Sequence, residues 1–172
     1  DIINYIKSSQ QKLSENTDLG KSYKKLSAMI KIIEKWELYY TNIVTSFIKN
    51  DDKILILKRS DKVKSMKCLW AGVSGIIEKD DTTPLDRAKI EIFEETGIRE
   101  EEIELLKEIK QMKILSQQYK NHEWNIFPFL FKAKNPKIKL NWENSEFKGL
   151  QPNEIKNYET VPELEKILFS LL

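Results

Sequence analysis

The sequence is poor in the features that mark several classes of protein. Its 172 residues include a single cysteine, Cys68, so no disulfide can form within the chain, and a reducing compartment is expected. No apolar run is long enough to cross a bilayer. The N-terminus also lacks the charged-then-apolar pattern of a signal peptide. We therefore expect a cytoplasmic protein that has no membrane segment.

An excess of charge of one sign is also missing. Lysine and arginine number 29 and aspartate and glutamate 27, for a net charge of +2, and the two signs are interspersed. This pattern is typical of a solvated surface rather than of a nucleic-acid footprint. We therefore predict no nucleic-acid partner. The length fits one domain with a sizeable core, or one domain with a small appendage.

Proline and glycine are scarce in the first part of the chain, which favours helices. Leu26, Ile30 and Ile33 recur there at helical spacing. We predict two helices, at residues 2–14 and 19–38. Nothing in them suggests chemistry, so the plain interpretation is an appendage that packs on the domain or forms a homodimer. A lid over the substrate is the alternative.

From residue 39 onward the pattern changes to alternating strands and helices. The predicted strands are 43–48, 54–57, 70–77, 103–118 and 123–133. One helix is predicted at 84–96, and the last segment, 152–172, is predicted to form one or two further helices. The alternation has no regular βαβ rhythm, so the fold class is α/β with a mixed sheet flanked by helices. The chain then divides into an N-terminal helical extension, residues 1–38, and one domain, residues 39–172.

The helix predicted at 84–96 has clear signals at both ends. Thr82 or Thr83 precedes it as a cap, and Pro84 occupies its first turn. Gly97 follows it as a left-handed cap. These signals fix where the helix begins and ends, and therefore which of its side chains share a face.

Three acids gather on one face of that helix. At about 100° per residue, Glu91, Glu94 and Glu95 fall within an arc of roughly 100°, because residues three and four apart share a face. The apolar Ala88 and Ile92 occupy the neighbouring arc, toward the sheet. Like charges this close repel each other unless a cation is bound. Mg²⁺ (or Mn²⁺) prefers oxygen ligands and fits the set; a solvated acidic face is the alternative.

The residues around this helix resemble the Nudix box. That motif is a glycine, five residues, a glutamate, seven residues, and then Arg-Glu-aliphatic-x-Glu-Glu-x-Gly-aliphatic. Segment 91–98 matches its second half without a gap, and Gly75 stands near the position of its first glycine. The resemblance covers roughly residues 40–172. It implies a Nudix-type mixed β-sheet sandwiched between helices, and a metal-dependent hydrolase that acts on a diphosphate.

The resemblance also implies roles for the acids. In the family the Glu-x-x-Glu-Glu set binds the metal and activates water. Glu91, Glu94 and Glu95 are therefore the predicted ligands of Mg²⁺ or Mn²⁺, with Glu91 and Glu94 also taking part in catalysis. Glu123 is a further catalytic candidate, since acids outside the box often lie near the metals in this family.

Candidate substrate-binding residues lie on both sides of the box. Lys58 and Arg59 end the second predicted strand, which in the resembling fold lies near the phosphate site, so either can neutralise phosphate charge. Gly75 and Glu78 begin the box itself. A plain surface role for the two basic residues is the alternative.

The sequence departs from the box at two points. Ile90 replaces the motif's arginine, and the loop at 79–82 is one residue longer than the pattern, with Asp81 as the acid nearest to the motif's upstream glutamate. In the family the arginine braces a motif glutamate. Arg87 lies one helical turn before Glu91 and is our candidate for this brace; a solvated surface charge is the alternative.

Two hypotheses of function remain. The first is a hydrolase that cleaves a diphosphate linkage in a small substrate of the nucleoside-diphosphate type. The second is a weakly active or inactive Nudix-fold binding or regulatory module, which the altered box favours. A finer resemblance, to an archaeal-type Nudix group, is carried by segments 70–75, 128–131, 140–143 and 158–162.

Overall fold

The computed structural model describes residues 22, 24–31 and 39–172. Residue 22 and residues 24–31 are helical, and the remainder of the two helices predicted at 2–14 and 19–38 lies outside the described residues. Tyr40–Leu172 forms a compact unit and is described by itself below. None of the helices within the described ranges is long and apolar enough to span a membrane.

Strands and helices alternate along this unit. The strands are β1 (Tyr39–Asn50), β2 (Lys53–Arg59), β3 (Trp70–Ala71), β4 (Val73–Ile76), β5 (Ile103–Glu108), β6 (Met112–Leu115), β7 (His122–Ala133) and β8 (Asn144–Leu150). The α-helices are α1 (Pro84–Thr96) and α2 (Leu164–Leu171), and short 3₁₀ helices cover Glu100–Glu102 and Pro152–Asn157.

The strands join in one sheet with the order β3–β2–β1–β7–β5. β4 lies beside β1, β6 beside β7, and β8 beside β2. β1 and β2 form the predicted hairpin, which is antiparallel with Ile48 opposite Leu55. The predicted α/β class, a mixed sheet flanked by helices, is confirmed.

The prediction of a single strand at 103–118 is wrong, because this stretch forms two strands, β5 and β6. β5 and β6 pair with different parts of β7, on either side of Pro128. The backbone N–H of Ile109 donates to the Pro128 carbonyl at 3.0 Å. Proline has no N–H with which to return a bond, so the ladder is interrupted at this point.

The single run predicted at 70–77 is also divided. β3 pairs with β2, whereas β4 pairs with β1. Gly72 stands between them, so close to β1 that a Cβ there would lie 2.9 Å from the Ser46 carbonyl oxygen. A glycine at this point lets the chain change partners without a steric clash.

Apolar side chains cover both faces of the sheet. On one face Ala88 and Ile92 of α1 share a fully buried cluster with Val44, which confirms the apolar arc predicted for this helix. On the other face Leu168 of α2 shares a cluster with Phe47. Val44 and Phe47 belong to opposite faces because side chains alternate along β1. α1 is thereby fixed against the sheet, with its acidic residues next to β4.

Candidate active site

Local chemistry sets the ends of α1. Thr83 is the cap, and its side chain accepts a hydrogen bond from the backbone N–H of Asp86. Pro84 is the first helical residue. Gly97 is left-handed, with φ of 72°, and its N–H donates to the Phe93 carbonyl at 2.8 Å. The predicted caps are confirmed, and they hold the acids of α1 in a fixed register against β4.

The side chain of Glu91 lies against the backbone of β4 at Gly75. A Cβ on Gly75 would lie 1.9 Å from Glu91 Oε1, so any larger residue would displace the carboxylate. Glu91 is only 9% exposed. Burial raises the pKa of Glu91 to about 7, and the charge of Glu94 adds to the rise. Gly75 therefore provides the space that a buried carboxylate needs beside the sheet.

Glu95 is the most buried acid of α1. Its Oε1 accepts a hydrogen bond from the Ser74 backbone N–H at 3.0 Å, and its Oε2 accepts one from Asn144 Nδ2 at 2.6 Å. Burial outweighs these two hydrogen bonds and raises the pKa of Glu95 to about 8. Two carboxyls on one helix face are thus held away from water.

Arg87 links Glu91 to the loop before the helix. Its Nε and Nη2 donate to the two oxygens of Asp81, each at 2.8 Å, and its Nη1 donates to Glu91 Oε1 at 3.4 Å. Nη2 also lies 3.6 Å from Glu78 Oε2. The contact predicted between Arg87 and Glu91 is present. Asp81, from the longer loop, holds the other side of the same guanidinium.

Most of the predicted site residues line one cleft of about 890 Å³. Those that line it are Arg59, Gly75, Glu78, Arg87, Glu91 and Glu94. Glu94 is exposed, whereas Glu95 is buried and reaches β4 and β8 through its hydrogen bonds. The cleft therefore gathers the acids of α1 and the beginning of the box in one place.

Lys58 and Glu123 do not line this cleft. Lys58 Nζ lies 2.8 Å from Glu146 Oε1, whereas the neighbouring Arg59 reaches the cleft, because successive residues of a strand point to opposite faces. Glu123 Oε1 lies 3.5 Å from Lys113 Nζ. The structure therefore does not bring these two predicted residues together with the acids of α1.

Sequence reasoning missed Glu143 and Asn144. Glu143 lines the cleft, and its charge contributes to the raised pKa values of both Glu91 and Glu95. Asn144 begins β8 and bonds to Glu95. Residues 140–143 contribute to the resemblance to the archaeal-type group described above, but that resemblance implies no role for Glu143. Neither residue shares an element with α1, so helical periodicity could not identify them.

The acids form an oxygen-only set of the kind that hard divalent cations prefer. The cleft is lined by three of these acids, Glu91, Glu94 and Glu143. A cation bound there would offset the desolvation and the charge repulsion that raise the pKa of Glu91. Within residues 39–172 and the helical stretch 24–31, no three His, Cys, Asp or Glu side chains are already grouped as ligands. Glu95 instead bonds to Ser74 and Asn144.

The sequence matches the NUDIX domain family over residues 40–171. This chain belongs to the NUDIX family. The match spans nearly all of β1 and continues through α2, so the whole Nudix domain includes both the acidic helix and the strand that carries Asn144. Among curated protein sequences no match was found.

Solved Nudix structures have the same fold. A MutT protein from Methanosarcina mazei Go1 has a TM-score of 0.62 and 21% identity, over 78% of this chain and 94% of that one. A C. elegans Ap4A hydrolase has a TM-score of 0.59 and 16% identity, over 77% and 96%. A bifunctional NMN adenylyltransferase/ADP ribose pyrophosphatase from Francisella tularensis has a TM-score of 0.63 and 19% identity, over 93% and 49%.

Proposed function

We propose that this Nudix domain is a divalent-metal-dependent hydrolase that cleaves a diphosphate linkage in a small substrate of the nucleoside-diphosphate type. The observation that carries the proposal is the pair Glu91 and Glu95, whose carboxylates are buried on one face of α1 beside the cleft. Two of the similar structures are an Ap4A hydrolase and an ADP ribose pyrophosphatase. Their names support hydrolysis of a phosphate-linked nucleotide here.

The predicted metal ligands Glu91, Glu94 and Glu95 would hold Mg²⁺ or Mn²⁺, with Glu143 as a further donor from the other wall. Such an ion, when bound, polarises the diphosphate and lowers the pKa of a coordinated water. The F. tularensis enzyme has also been solved with AMP and a Mn ion, which supports the choice of ion.

The chain's own residues would position these groups and accept a proton. Arg87, itself bonded to Asp81, holds Glu91, and Gly75 leaves room for the Glu91 carboxylate. Glu94 and Glu143 line the cleft, where either carboxylate could take the proton of the attacking water. Glu143 is better placed for this than the predicted Glu123, which pairs with Lys113 outside the cleft.

A binding or regulatory module with weak or no catalysis is the second candidate. Ile90 favours it, since this apolar side chain is 41% exposed and lines the cleft where the motif has an arginine. The contact between Arg87 and Glu91 supports the hydrolase, because the carboxylate is still held. Membership of the archaeal-type group, a cytoplasmic location and a homodimer stay predictions.

A panel of candidate substrates tests the proposal. It should include nucleotide sugars, dinucleoside polyphosphates, oxidised nucleotides and coenzymes, each assayed with Mg²⁺, with Mn²⁺ and with a chelator. We expect at least one class to be cleaved at its diphosphate, and the cleavage to stop when the ion is removed. Tight binding of one compound without cleavage of any would favour the binding module.

A further inference from the structure

The sheet has open edges at β8 and at β5. β8 pairs with β2 from Asn144 to Leu150, and within the described part of the chain no strand pairs with its other side. β5 pairs with β7 and lies at the end of the strand order. An open edge presents backbone N–H and C=O groups that can bond to a further strand. Each edge is therefore a candidate surface for association with another chain.

The two edges differ in regularity. The register of β5 shifts between Leu105 and Lys107, so Leu106 is an extra residue in this short strand. Bulges of this kind disrupt an edge and protect it from pairing. β8 pairs with β2 without interruption over Glu146–Leu150, and its residues 145–149 are all exposed. The edge at β8 is therefore the one suited to a further strand.

The charged side chains of β8 extend over their own sheet rather than across its edge. Glu146 Oε1 accepts a hydrogen bond from Lys58 Nζ of β2 at 2.8 Å. Lys148 Nζ lies 5.7 Å from the centre of the Trp70 ring and 5.3 Å from that of Tyr158. Trp70 belongs to β3, on the other side of β2. Charged side chains often protect an open edge, but these two leave the outer backbone of β8 accessible.

The sequence of this edge is complementary to itself. Phe147 is 47% exposed, and it stands between Glu146 and Lys148, which have opposite charges. In an antiparallel pair of β8 strands related by a two-fold axis at Phe147, each Glu146 lies opposite Lys148 of the other copy. Residues directly opposite each other point to the same face, so the two Phe147 rings lie side by side. Self-complementarity of this kind is what a symmetric dimer requires.

We propose that the outer edge of β8 is a dimerisation surface, on which a second copy of this chain adds its own β8 to form one continuous antiparallel sheet. Backbone hydrogen bonds supply the pairing, and the contacts of Phe147, Glu146 and Lys148 set its register. Two short strands bury little area compared with a standard protein interface, so the dimer should dissociate at roughly 10–100 µM. The interface lies within the Nudix domain and does not use the N-terminal extension.

Charge reversal at the edge tests the proposal. Sedimentation equilibrium of the full chain, from about 1 to 500 µM, measures the dimer Kd. Glu146→Lys and Lys148→Glu each place like charges opposite one another at two symmetric positions. Each should raise the Kd at least about tenfold. Circular dichroism and thermal unfolding show whether each variant is folded, which is expected because both side chains are exposed.

Restoring the complementarity is the sharper test. In the double variant Glu146→Lys/Lys148→Glu, opposite charges face each other again, so the wild-type Kd should return to within about threefold. An equal mixture of the two single variants should form a mixed dimer of similar affinity, which fluorescence-detected sedimentation of one labelled variant measures. Glu104→Lys and Lys107→Glu, on the edge at β5, make the same charge changes and should leave the Kd unchanged.

The outcomes decide where two copies meet. A chain that stays monomeric up to about 500 µM would overturn the proposal. A dimer that both single variants leave unchanged would also overturn it, because the interface would then lie elsewhere, as in the N-terminal extension. Recovery in neither the double variant nor the mixture would show that the two charges do not face each other. Loss in each single variant and recovery in both combinations would establish the pairing and its register.

Discussion

Arg87 and Lys89 both lie on α1 and both form ion pairs with carboxylates, but their surroundings differ. The side chains of Arg87, Asp81 and Glu91 are 12%, 6% and 12% exposed. Lys89, on the same helix, contacts Glu100 at 2.6 Å, with exposures of 27% and 68%. An exposed pair contributes about 0–1 kcal/mol, whereas charges that are partly shielded from water are screened less by salt. Shielding from water separates the candidate site from the ordinary surface of this helix.

The largest effects should come from removing a buried carboxylate charge. Glu91→Gln or Glu95→Gln should lower kcat at least about a hundredfold, because the predicted metal ligands lose charge while their shape is kept. Glu100→Gln, on the exposed side, should change kcat less than about twofold. Steady-state kinetics with circular dichroism as a folding control measures both. Activity within a few-fold of wild type in Glu91→Gln or Glu95→Gln would remove that residue from the metal site.

Glu91→Gln is the cleaner of the two substitutions. A glutamine at 95 has one oxygen with which to accept, whereas Glu95 accepts from both Ser74 and Asn144. Leaving a buried donor without a partner costs roughly 1–3 kcal/mol. The stability of Glu95→Gln should therefore be measured before its kinetics are interpreted.

The metal-free protein should lose stability as the pH rises. The pKa values of Glu91 and Glu95 are raised from 4.5 to about 7 and 8 in the folded protein, so the folded state binds these protons more tightly than the unfolded state. That stabilisation is fully present below about pH 4.5 and is lost as the pH rises through 7 to 8. Thermal unfolding with a chelator, from about pH 5 to 9, measures it.

Mg²⁺ or Mn²⁺ should reverse that loss. A cation on the carboxylates binds the folded state, so millimolar metal should raise Tm at about pH 8 by mass action. Calorimetry should show binding that Glu95→Gln weakens and that Glu100→Gln leaves unchanged. The absence of any metal-dependent shift in Tm would favour the binding module.

A smaller effect should follow from breaking the half-buried ion pair of Arg87. Arg87→Ala should lower kcat and metal affinity by about tenfold, since Arg87 holds a predicted ligand rather than binding the metal itself. Lys89→Ala is the matched control on the same helix and should change neither. Asp81→Asn should reproduce most of the loss, because Asp81 acts through Arg87, and Asp81→Glu should restore part of it.

Ile90 provides the complementary test of this pair. Ile90→Arg, introduced into the Arg87→Ala background, should restore part of the lost activity by returning an arginine to the motif position. Calorimetry should measure the metal affinity of the Arg87→Ala protein. A loss of metal affinity in a folded protein indicates that Arg87 positions Glu91, rather than that the substitution only lowers stability. If Arg87→Ala leaves both kcat and metal affinity unchanged, the box functions without a brace, and the regulatory hypothesis is strengthened.

The smallest effect is expected from removing residues 1–36. The family match begins at residue 40, and the two buried clusters of the domain lie within residues 43–171. A chain that begins at residue 37 should therefore stay folded and keep its cooperative thermal transition. An insoluble or unfolded truncation would show that the N-terminal extension completes the core.

Signals that operate over a few residues were sufficient to predict α1 and its caps. Thr83, Pro84 and Gly97 act on their own turn of helix, so their effect can be read without knowledge of the tertiary fold. The shared face of Glu91 and Glu95 follows from the same local geometry. The acidic part of the candidate site was therefore predictable from the sequence alone.

The opposite wall of the site was not predictable in this way. Asn144 reaches Glu95 from 49 residues further along the chain, and it does so because β8 pairs with β2. No local pattern specifies that pairing. The break between β5 and β6 was missed for a similar reason, since it depends on Pro128 in the partner strand β7.

The bond between Glu95 and Asn144 has a consequence for the order in which the site forms during synthesis. α1 leaves the ribosome well before β8. The bond between Glu95 and Asn144 can therefore form only after Asn144, 49 residues further along the chain, has been translated. Leu164 and Ile167, which also line the cleft, are translated later still. A nascent chain that lacks these segments has the complete Glu-x-x-Glu-Glu sequence but not the complete cleft. The cleft is therefore complete only when nearly all of the domain has been made.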